Sequence, residues 1–186
     1  MTKYRTFIAL KIKPSDSLIK LLNEGQNAFG KDSVKWVGAD NLHLTLKFLG
    51  DTSKDQIESV KEVLSKLSNN FNPFHFHLDG LGYFKNGGHP KVLFVGIAGV
   101  DEMKKYVTEL EDSLEILGFQ KEKRPFKPHL TLGRIKFIRD ISRFYDWIDI
   151  NKSFKFSDVI VNEVTFYQSI LTSDGPVYKS IFKCKL

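Results

Sequence analysis

The chain has 186 residues, of which 41% are hydrophobic and 27% charged, and its formal net charge at pH 7 is +6. This composition excludes a disordered chain and predicts a globular protein with an apolar core. The positive balance favours a polyanionic partner only weakly, because many basic proteins bind no nucleic acid. No apolar run is long enough to span a bilayer, and the run after Met1 is too short for a signal peptide. We therefore expect a cytosolic protein, and Cys184, the single cysteine, fits a reducing compartment.

The first half of the chain is predicted to form strand, helix, strand, helix and strand. β-rich or alternating runs predict strands at 4–12, 42–50 and 74–84. One helix is expected to open at Pro14 and Ser15 and to end near residue 29, and a second follows Ser53, a plausible N-cap. The sequence Asn-Gly-Gly-His-Pro at 86–90 predicts a turn at the middle of the chain.

The second half is predicted to repeat that order. Strands are expected at 92–98, 129–137, 159–168 and 177–186. Helices are expected at 100–117, where Gly118 supplies the stop, and at 140–148.

Two short motifs recur at nearly the same offset. Residues 7–10 (FIAL) correspond to 94–97 (FVGI), 87 positions later, and residues 43–46 (HLTL) recur at 129–132, 86 positions later. Self-similarity at a fixed offset indicates duplication. We expect one domain over 1–186, built from pseudo-repeats of approximately 1–88 and 89–186, with equivalent strands facing each other across a cleft.

The repeated His-x-Thr motif carries the candidate chemistry. In a strand, residues i and i+2 share a face, so His43 and Thr45 are predicted to point one way while Leu44, Leu46 and Phe48 point the other. His129 and Thr131 have the same relation to their neighbouring leucines. One such motif alone would more often mark an ordinary surface or core histidine, but its repetition in register favours a functional pair.

Two imidazoles and two hydroxyls around one cavity suit a phosphate. The hydroxyls donate to non-bridging oxygens, and the imidazoles serve as a base for the attacking water and an acid for the leaving oxygen. Histidine fits both roles because its ordinary pKa of about 6.5 allows either protonation state near neutrality.

The motifs at 41–50 (NLHLTLKFLG) and 128–134 (PHLTLGR) resemble the paired signatures of the two-histidine phosphoesterases. The most similar branch is the LigT-like RNA 2′,3′-cyclic phosphodiesterases of bacteria and archaea, once called 2′-5′ RNA ligases. The opening segment 5–10 (RTFIAL) and the closing segments 166–169 (FYQS) and 175–178 (GPVY) also resemble that family. The resemblance therefore covers nearly the whole chain.

This resemblance implies a bilobal α+β fold with mostly antiparallel sheets around a central cleft. It implies hydrolysis of a terminal RNA 2′,3′-cyclic phosphate to a 2′-phosphate, without metal or other cofactor, by a monomer. Carried over by motif position, His43 is the proton donor to the leaving oxygen and His129 the proton acceptor that activates water. Thr45, Thr131 and Arg134 bind the phosphate, although a regular strand would place Arg134 on the leucine face, so its role requires a bulge or the strand's end.

Several alternatives stay open on the sequence. Within the family, the alternatives to hydrolysis of an RNA cyclic phosphate are ligation to 2′-5′ linkages and hydrolysis of a small cyclic nucleotide. A metal-dependent hydrolase is disfavoured because a catalytic zinc usually has three protein ligands and no third ligand follows from the spacing. A module that binds RNA ends without cleaving them would belong to another class.

Three further groups are interpreted mainly as structural. His75 and His77 alternate with phenylalanines and are predicted to form the wet face of a strand. His89 is expected to be a solvated turn residue. The segment 121–128 (KEKRPFKP) is interpreted as a solvated loop, with a basic, aromatic lip that contacts RNA as the functional alternative.

Overall fold

The computed structural model describes residues 2–30, 33–173 and 175–186, and within them the chain forms nine strands and four α-helices. The strands are β1 (Tyr4–Lys11), β2 (Val34–Trp36), β3 (His43–Thr52), β4 (Phe74–Asn86), β5 (His89–Ala98), β6 (His129–Ile135), β7 (Lys155–Val161), β8 (Glu163–Thr172) and β9 (Gly175–Lys185). The helices are α1 (Asp16–Phe29), α2 (Lys54–Ser68), α3 (Asp101–Ile116) and α4 (Ile141–Asn151).

The strands form two antiparallel sheets. The first sheet has the order β3-β1-β8-β9, and the second has the order β2-β6-β5-β4-β7. The predicted α+β class with mostly antiparallel sheets is confirmed. Each sheet takes strands from both halves of the chain, because β8 and β9 join β1 and β3 while β4 joins β5 and β6.

Local signals explain where the helices begin. The Ser15 hydroxyl accepts a hydrogen bond from the Leu18 amide, and Ser53 forms a capping box with Gln56. The predicted helix starts at these two serines are confirmed. Asp140 lies one residue before α4 and caps it, because its side chain accepts from the Arg143 amide.

The central turn joins β4 to β5 as a hairpin. Asn86 pairs with His89, and the two residues between them have positive φ angles of 59° for Gly87 and 80° for Gly88. Glycine adopts such angles without a Cβ clash, so the sequence signal at this turn is confirmed.

The strand prediction was wrong at one place, and it missed one strand. The strand predicted at 159–168 is in fact two strands, β7 and β8, separated at Asn162 and lying in different sheets. The short strand β2 was not predicted, because three residues are too few to show a period.

The core lies between the helices and the sheets. Its fully buried side chains come from strands and helices alike, among them Ile8, Leu44, Leu64, Tyr106 and Phe166. None of the helices in the described ranges is long and apolar enough to cross a membrane.

Candidate active site

The two strands that carry the repeated motif meet between the sheets. β3 is the edge strand of the first sheet, and β6 lies between β2 and β5 in the second. Cα atoms of β3 and β6 come within 8 Å of each other. Both His-x-Thr motifs therefore begin strands that approach each other closely.

His43 and His129 are held in the same way. Each is the first residue of its strand, and its Nδ1 hydrogen-bonds the backbone carbonyl two residues earlier, at 2.6 Å to Asn41 and at 2.7 Å to Lys127. A carbonyl oxygen only accepts, so Nδ1 carries the proton in both rings. Nε2 is the nitrogen that remains to exchange a proton with a ligand.

Aromatic side chains support both imidazoles. The His43 ring lies 5.1 Å from Phe7 and 4.9 Å from Tyr178, centroid to centroid. The His129 ring lies 4.9 Å from Phe84 and 5.6 Å from Phe94. These ring contacts, together with the backbone hydrogen bond, restrict the orientation of each imidazole.

The threonines share the face of the histidines, as predicted. Thr45 and Thr131 are half-buried, like His43 and His129, whereas Leu44, Leu46, Leu130 and Leu132 are buried. Each strand therefore presents a leucine face to the core and a His/Thr face to the surface between the sheets.

A β-bulge places Arg134 on the His/Thr face. Phe94 of β5 pairs with Thr131 and Leu93 pairs with Gly133, so Leu132 is an extra residue in β6. The extra residue leaves Leu132 and Gly133 both buried and Arg134 exposed, which reverses the alternation. Gly133 fits here because an added Cβ would lie 2.7 Å from a Val34 methyl group. The bulge that the role of Arg134 requires is therefore present.

The same bulge in β3 corrects the prediction for Phe48. Ala9 of β1 pairs with Thr45 and Ile8 pairs with Lys47, so Leu46 is the extra residue in this strand. Leu46 and Lys47 are both buried, and Phe48 is 58% exposed. Phe48 therefore shares the face of His43 and Thr45, and its predicted place on the leucine face was wrong because the period of two is interrupted.

Burial changes the protonation equilibrium of His43. Desolvation lowers its pKa from the ordinary value of 6.5, and the hydrogen bond to the Asn41 carbonyl partly offsets this effect. The ligand-free protein therefore favours a neutral imidazole at this position. An anion bound beside the ring would favour the charged form and raise the pKa again.

Positive charges gather beside His43. Burial raises the pKa of Tyr178, and the nearby charges of Arg134 and Arg5 oppose that rise. Arg134 pairs with Lys35 in the β2–β6 ladder, and the Lys35 ammonium lies close to the backbone of Gly175 at the start of β9. Arg5 of the first sheet and Arg134 of the second therefore both act electrostatically on the tyrosine that contacts His43.

These cations are not held in salt bridges in the part of the chain that the structure describes, although Asp51 is the cross-strand partner of Arg5. Arg5, Lys35 and Arg134 form no salt bridge with any acid in 2–30, 33–173 or 175–186. Uncompensated arginine and lysine side chains at one place favour an anionic ligand.

Comparison with known protein families assigns the chain to one of them. The model of the family described as LigT like phosphoesterase matches residues 10–94 and 97–178. The chain belongs to the LigT like phosphoesterase family. A phosphoesterase acts on a phosphate ester, in agreement with the anion-favouring surface around the two histidines.

Curated relatives of this phosphoesterase match over nearly its whole length. A protein of Thermotoga maritima named RNA 2′,3′-cyclic phosphodiesterase is 34% identical, with 97% of this chain and 95% of the relative covered. A protein of Archaeoglobus fulgidus with the same name is also 34% identical, with 95% and 97% covered.

Solved structures share the fold of this phosphoesterase. The crystal structure of TT0787 from Thermus thermophilus aligns with a TM-score of 0.79 at 27% identity and covers 98% of this chain and 97% of its own. The structure of Escherichia coli LigT complexed with 3′-AMP aligns with the same TM-score at 22% identity, covering 100% and 99%. At 22% identity, the similarity to LigT shows a shared fold and nothing more.

The other histidines of the phosphoesterase lie elsewhere. His75 and His77 are exposed on β4 and alternate with buried apolar residues, as predicted, and His77 Nδ1 lies 2.5 Å from an Asp158 carboxylate oxygen. His89 is exposed at the central turn. Among the residues with described positions, no group of three or more His, Cys, Asp or Glu side chains is placed to hold a metal ion.

Sequence reasoning missed several residues beside the two histidines. Tyr178 was noted only as part of the closing motif, and Arg5 only as part of the opening one, without a role for either. Lys35 carried no local signal because it lies on an unpredicted strand, and Phe48 was assigned to the wrong face because it follows a bulge. The matched Gly133-Arg134 and Lys47-Phe48 dipeptides, each two residues after the threonine, are the signal that indicates both bulges.

Proposed function

We propose that this phosphoesterase hydrolyses the terminal 2′,3′-cyclic phosphate of RNA to a 2′-phosphate, with His43 and His129 as proton donor and acceptor. The relatives that match over most of its length are named for this activity. The observation that carries the assignment of the site is the identical anchoring of both imidazoles, Nδ1 on the carbonyl of residue i−2, at the start of two strands that touch.

The reaction requires that one proton is removed from the attacking water and that another is donated to the leaving oxygen. Water attacks phosphorus while His129 accepts its proton at Nε2, and the bond from phosphorus to the 3′-oxygen breaks while His43 donates a proton to that oxygen. The product has a 2′-phosphate and a free 3′-hydroxyl, and the two imidazoles exchange protonation states. Solvent then restores the starting forms.

Thr45, Thr131 and Arg134 bind the phosphate in this proposal. Each hydroxyl lies on the same face as its histidine, so both can donate to non-bridging oxygens. The bulge directs Arg134 to this face, where its guanidinium stabilises negative charge that increases in the transition state.

The lowered pKa of His43 is compatible with its role as the acid once substrate is present. The free protein favours the neutral ring, but the cyclic phosphodiester brings a negative charge beside it and favours the imidazolium. His43 therefore takes up a proton together with the substrate, and its weak hold on that proton assists transfer to the leaving oxygen.

The substrate proposal has a direct test. An RNA ending in a 2′,3′-cyclic phosphate is incubated with the purified protein in excess chelator, and ³¹P NMR locates the phosphate in the product. We expect turnover to a 2′-phosphate. A 3′-phosphate product, or tight binding without turnover at any pH, would contradict the proposal, and loss of turnover on chelation would favour a metal-dependent reaction.

We also propose that the protein acts as a monomer in the cytosol. The proposed catalytic and phosphate-binding residues all lie on β3 and β6 of one chain. Cys184, the single cysteine, is buried against Ser68 and fits a reducing compartment. Sedimentation of the purified protein at the 21.4 kDa of one chain would support the monomer, and a dimer at assay concentrations would overturn it.

A further inference from the structure

Lys35 and Arg134 are two cations that lie directly opposite each other. They are cross-strand partners in the β2–β6 ladder, and both side chains are exposed. Directly opposed side chains have Cβ atoms about 4.5–5.5 Å apart, and like charges at such positions destabilise a sheet. Neither cation forms a salt bridge with an acid of the described ranges. A repulsion that no described acid relieves points to an anionic ligand.

Lys35 lies on the face of the proposed site. The bulge in β6 turns Arg134 to the side of His129 and Thr131. Opposed residues of neighbouring strands share a face, so Lys35 lies on that side too, while the preceding residue, Val34, is buried. The His/Thr face therefore continues from β6 onto the edge strand β2.

The side chain of Lys35 reaches the other sheet. A Cβ added to Gly175, the first residue of β9, would lie 3.6 Å from Lys35 Cε and 3.7 Å from its Nζ. Tyr178, whose ring contacts His43, is three residues further along β9, a distance of about 10 Å at the usual rise of a strand. The ammonium is therefore displaced from the imidazole by about the length of one nucleotide.

The two cations suit two different phosphates. In the proposed function Arg134 binds the phosphate that reacts. Lys35 is the neighbouring cation, and its ammonium lies further from His43, at the β8–β9 turn. In an RNA strand the next anion after the cyclic phosphate is the phosphodiester on the 5′-oxygen of the same terminal nucleoside.

We propose that Lys35 binds the phosphodiester on the 5′ side of the terminal nucleotide, so that the RNA strand reaches the site past the β8–β9 turn. This proposal rests on the proposed function and adds which group of the RNA, beyond its cyclic end, is recognised. A nucleoside 2′,3′-cyclic phosphate lacks that phosphodiester. Lys35 therefore favours RNA ends over mononucleotides.

The test compares three substrates with the same reacting end. The first is adenosine 2′,3′-cyclic phosphate. The second is a dinucleotide in which 2′-deoxyuridine is joined through a phosphodiester to the same adenosine end, and the third has an uncharged methylphosphonate at that linkage. We expect Lys35→Ala to raise KM for the second substrate about 5-fold, the upper end of what an exposed ion pair contributes. The effect on the other two should be much smaller, because neither presents a charge at that position.

Matched variants separate the charge of Lys35 from its packing. Lys35→Met keeps most of the aliphatic stem beside Gly175 but has no charge, so it should behave like Lys35→Ala. Lys35→Arg keeps the charge and should retain a low KM for the phosphodiester dinucleotide. Lys155→Ala removes an exposed lysine of β7, the opposite edge strand of the same sheet, and should leave the KM of all three substrates unchanged.

The outcomes distinguish this proposal from the proposed function. Equal changes in KM for all three substrates, or no change for the phosphodiester dinucleotide, would overturn the role of Lys35 while hydrolysis stands. A rise that the methylphosphonate shares would also overturn it, because Lys35 would then contact the added nucleoside and not its charge. Failure of the parent protein to cleave any of the three would instead overturn the proposed function.

Discussion

The Nδ1 atoms of His43 and His129 both bond to the carbonyl of residue i−2, which fixes the same tautomer in two separate places. Sequence alone predicted the pair, because the same His-x-Thr motif occurs in both halves of the chain. It could not assign acid and base, since the duplication makes the two sites locally alike. Burial lowers the pKa of His43, and the assignment of donor and acceptor stays a prediction.

Removing either imidazole should affect the chemical step. His43→Ala and His129→Ala are each expected to lower kcat/KM by about 10²–10⁴-fold, the usual contribution of a positioned acid or base. Steady-state kinetics on a cyclic-phosphate RNA measures this loss. His77→Ala is the control, because that ring lies on the exposed face of β4 beside Asp158, and it should retain parental activity.

Burial of His43 also makes stability depend on pH. Its folded pKa is lowered, so the unfolded chain binds its proton more tightly than the folded protein does. The free energy of unfolding should therefore fall as pH drops through the unfolded value of about 6.5 toward the folded one, and level off below that. Urea denaturation of the parent protein and of His43→Gln measures this, and an equal slope in both would contradict it.

A bound anion should reverse the effect on His43. Sulfate carries two negative charges throughout pH 5–8, and at the proposed phosphate position it favours the imidazolium. We expect an NMR titration of the His43 Cε1 proton to give a higher pKa with saturating sulfate than without it. An unchanged pKa would mean that the anion binds elsewhere.

At the scale of elements, the sequence patterns could not predict the two β-bulges. The alternation of HLTL predicts which residues share a face only while the ladder stays regular. The extra residues Leu46 and Leu132 interrupt it in β3 and β6, so Phe48 and Arg134 change sides. The existence of both strands was predictable from local residues, whereas the break between β7 and β8 depends on strand partners in different sheets.

The loop from 119 to 128 presents a second element-scale feature. Lys47 donates to the Gln120 carbonyl at 2.8 Å, Phe119 and Phe126 pack against the core, and the Lys127 carbonyl accepts from His129. The loop is therefore held at both ends beside the proposed site. Lys121 is paired with Asp112 and Glu115, but Lys123, Arg124 and Lys127 are exposed.

Those three cations should contact RNA phosphates if RNA is the substrate. The triple replacement of Lys123, Arg124 and Lys127 by alanine is expected to weaken RNA binding and to flatten its salt dependence, because each lost phosphate contact removes about 0.7 from the slope of log K against log salt. Fluorescence anisotropy between 50 and 200 mM salt measures the RNA affinity and its salt dependence.

A second triple variant distinguishes the effect of this loop from the effect of net charge. Lys20, Lys54 and Lys104 are exposed on three different helices and carry the same total charge. Their replacement by alanine should reduce the slope much less. An unchanged slope after the loop replacement would return segment 121–128 to the solvated-loop interpretation.

At the scale of the whole molecule, a buried ion pair joins β3 to α3. The Lys47 side chain is 2% exposed, and its ammonium lies 2.7 Å from a Glu111 carboxylate oxygen, which also accepts from the Glu122 amide. Lys47 occupies the bulge position that Gly133 fills in β6, where β2 leaves no space for a side chain. The pair therefore links the strand of the first motif to the segment that leads into the second.

Breaking that pair should destabilise the protein without touching the proposed catalytic groups. Lys47→Met leaves the Glu111 carboxylate without its cation and is expected to lower the free energy of unfolding by about 3–5 kcal/mol. Chemical denaturation measures this. The double replacement Lys47→Met with Glu111→Leu should recover much of the loss, and no recovery would contradict a role for the charge pair.

The global arrangement was only partly accessible from sequence. The repeated motifs predict a duplication with equivalent strands facing each other, and that duplication stays a prediction. The exchange of strands between sheets, with β8 beside β1 and β7 beside β4, depends on contacts distant in sequence. No local pattern reports such contacts, since register and partner choice are set by how the apolar faces pack together.

The pH dependence of kcat/KM tests most directly whether both imidazoles act on one phosphate. The parent protein should give a bell-shaped profile on a cyclic-phosphate RNA, because one ring must be neutral and the other charged, and the two apparent pKa values belong to the pair. His43→Ala should lose the limb that falls at high pH, and His129→Ala the limb that rises at low pH. A flat profile from pH 5 to 8, or a bell that survives in either variant, would contradict the account.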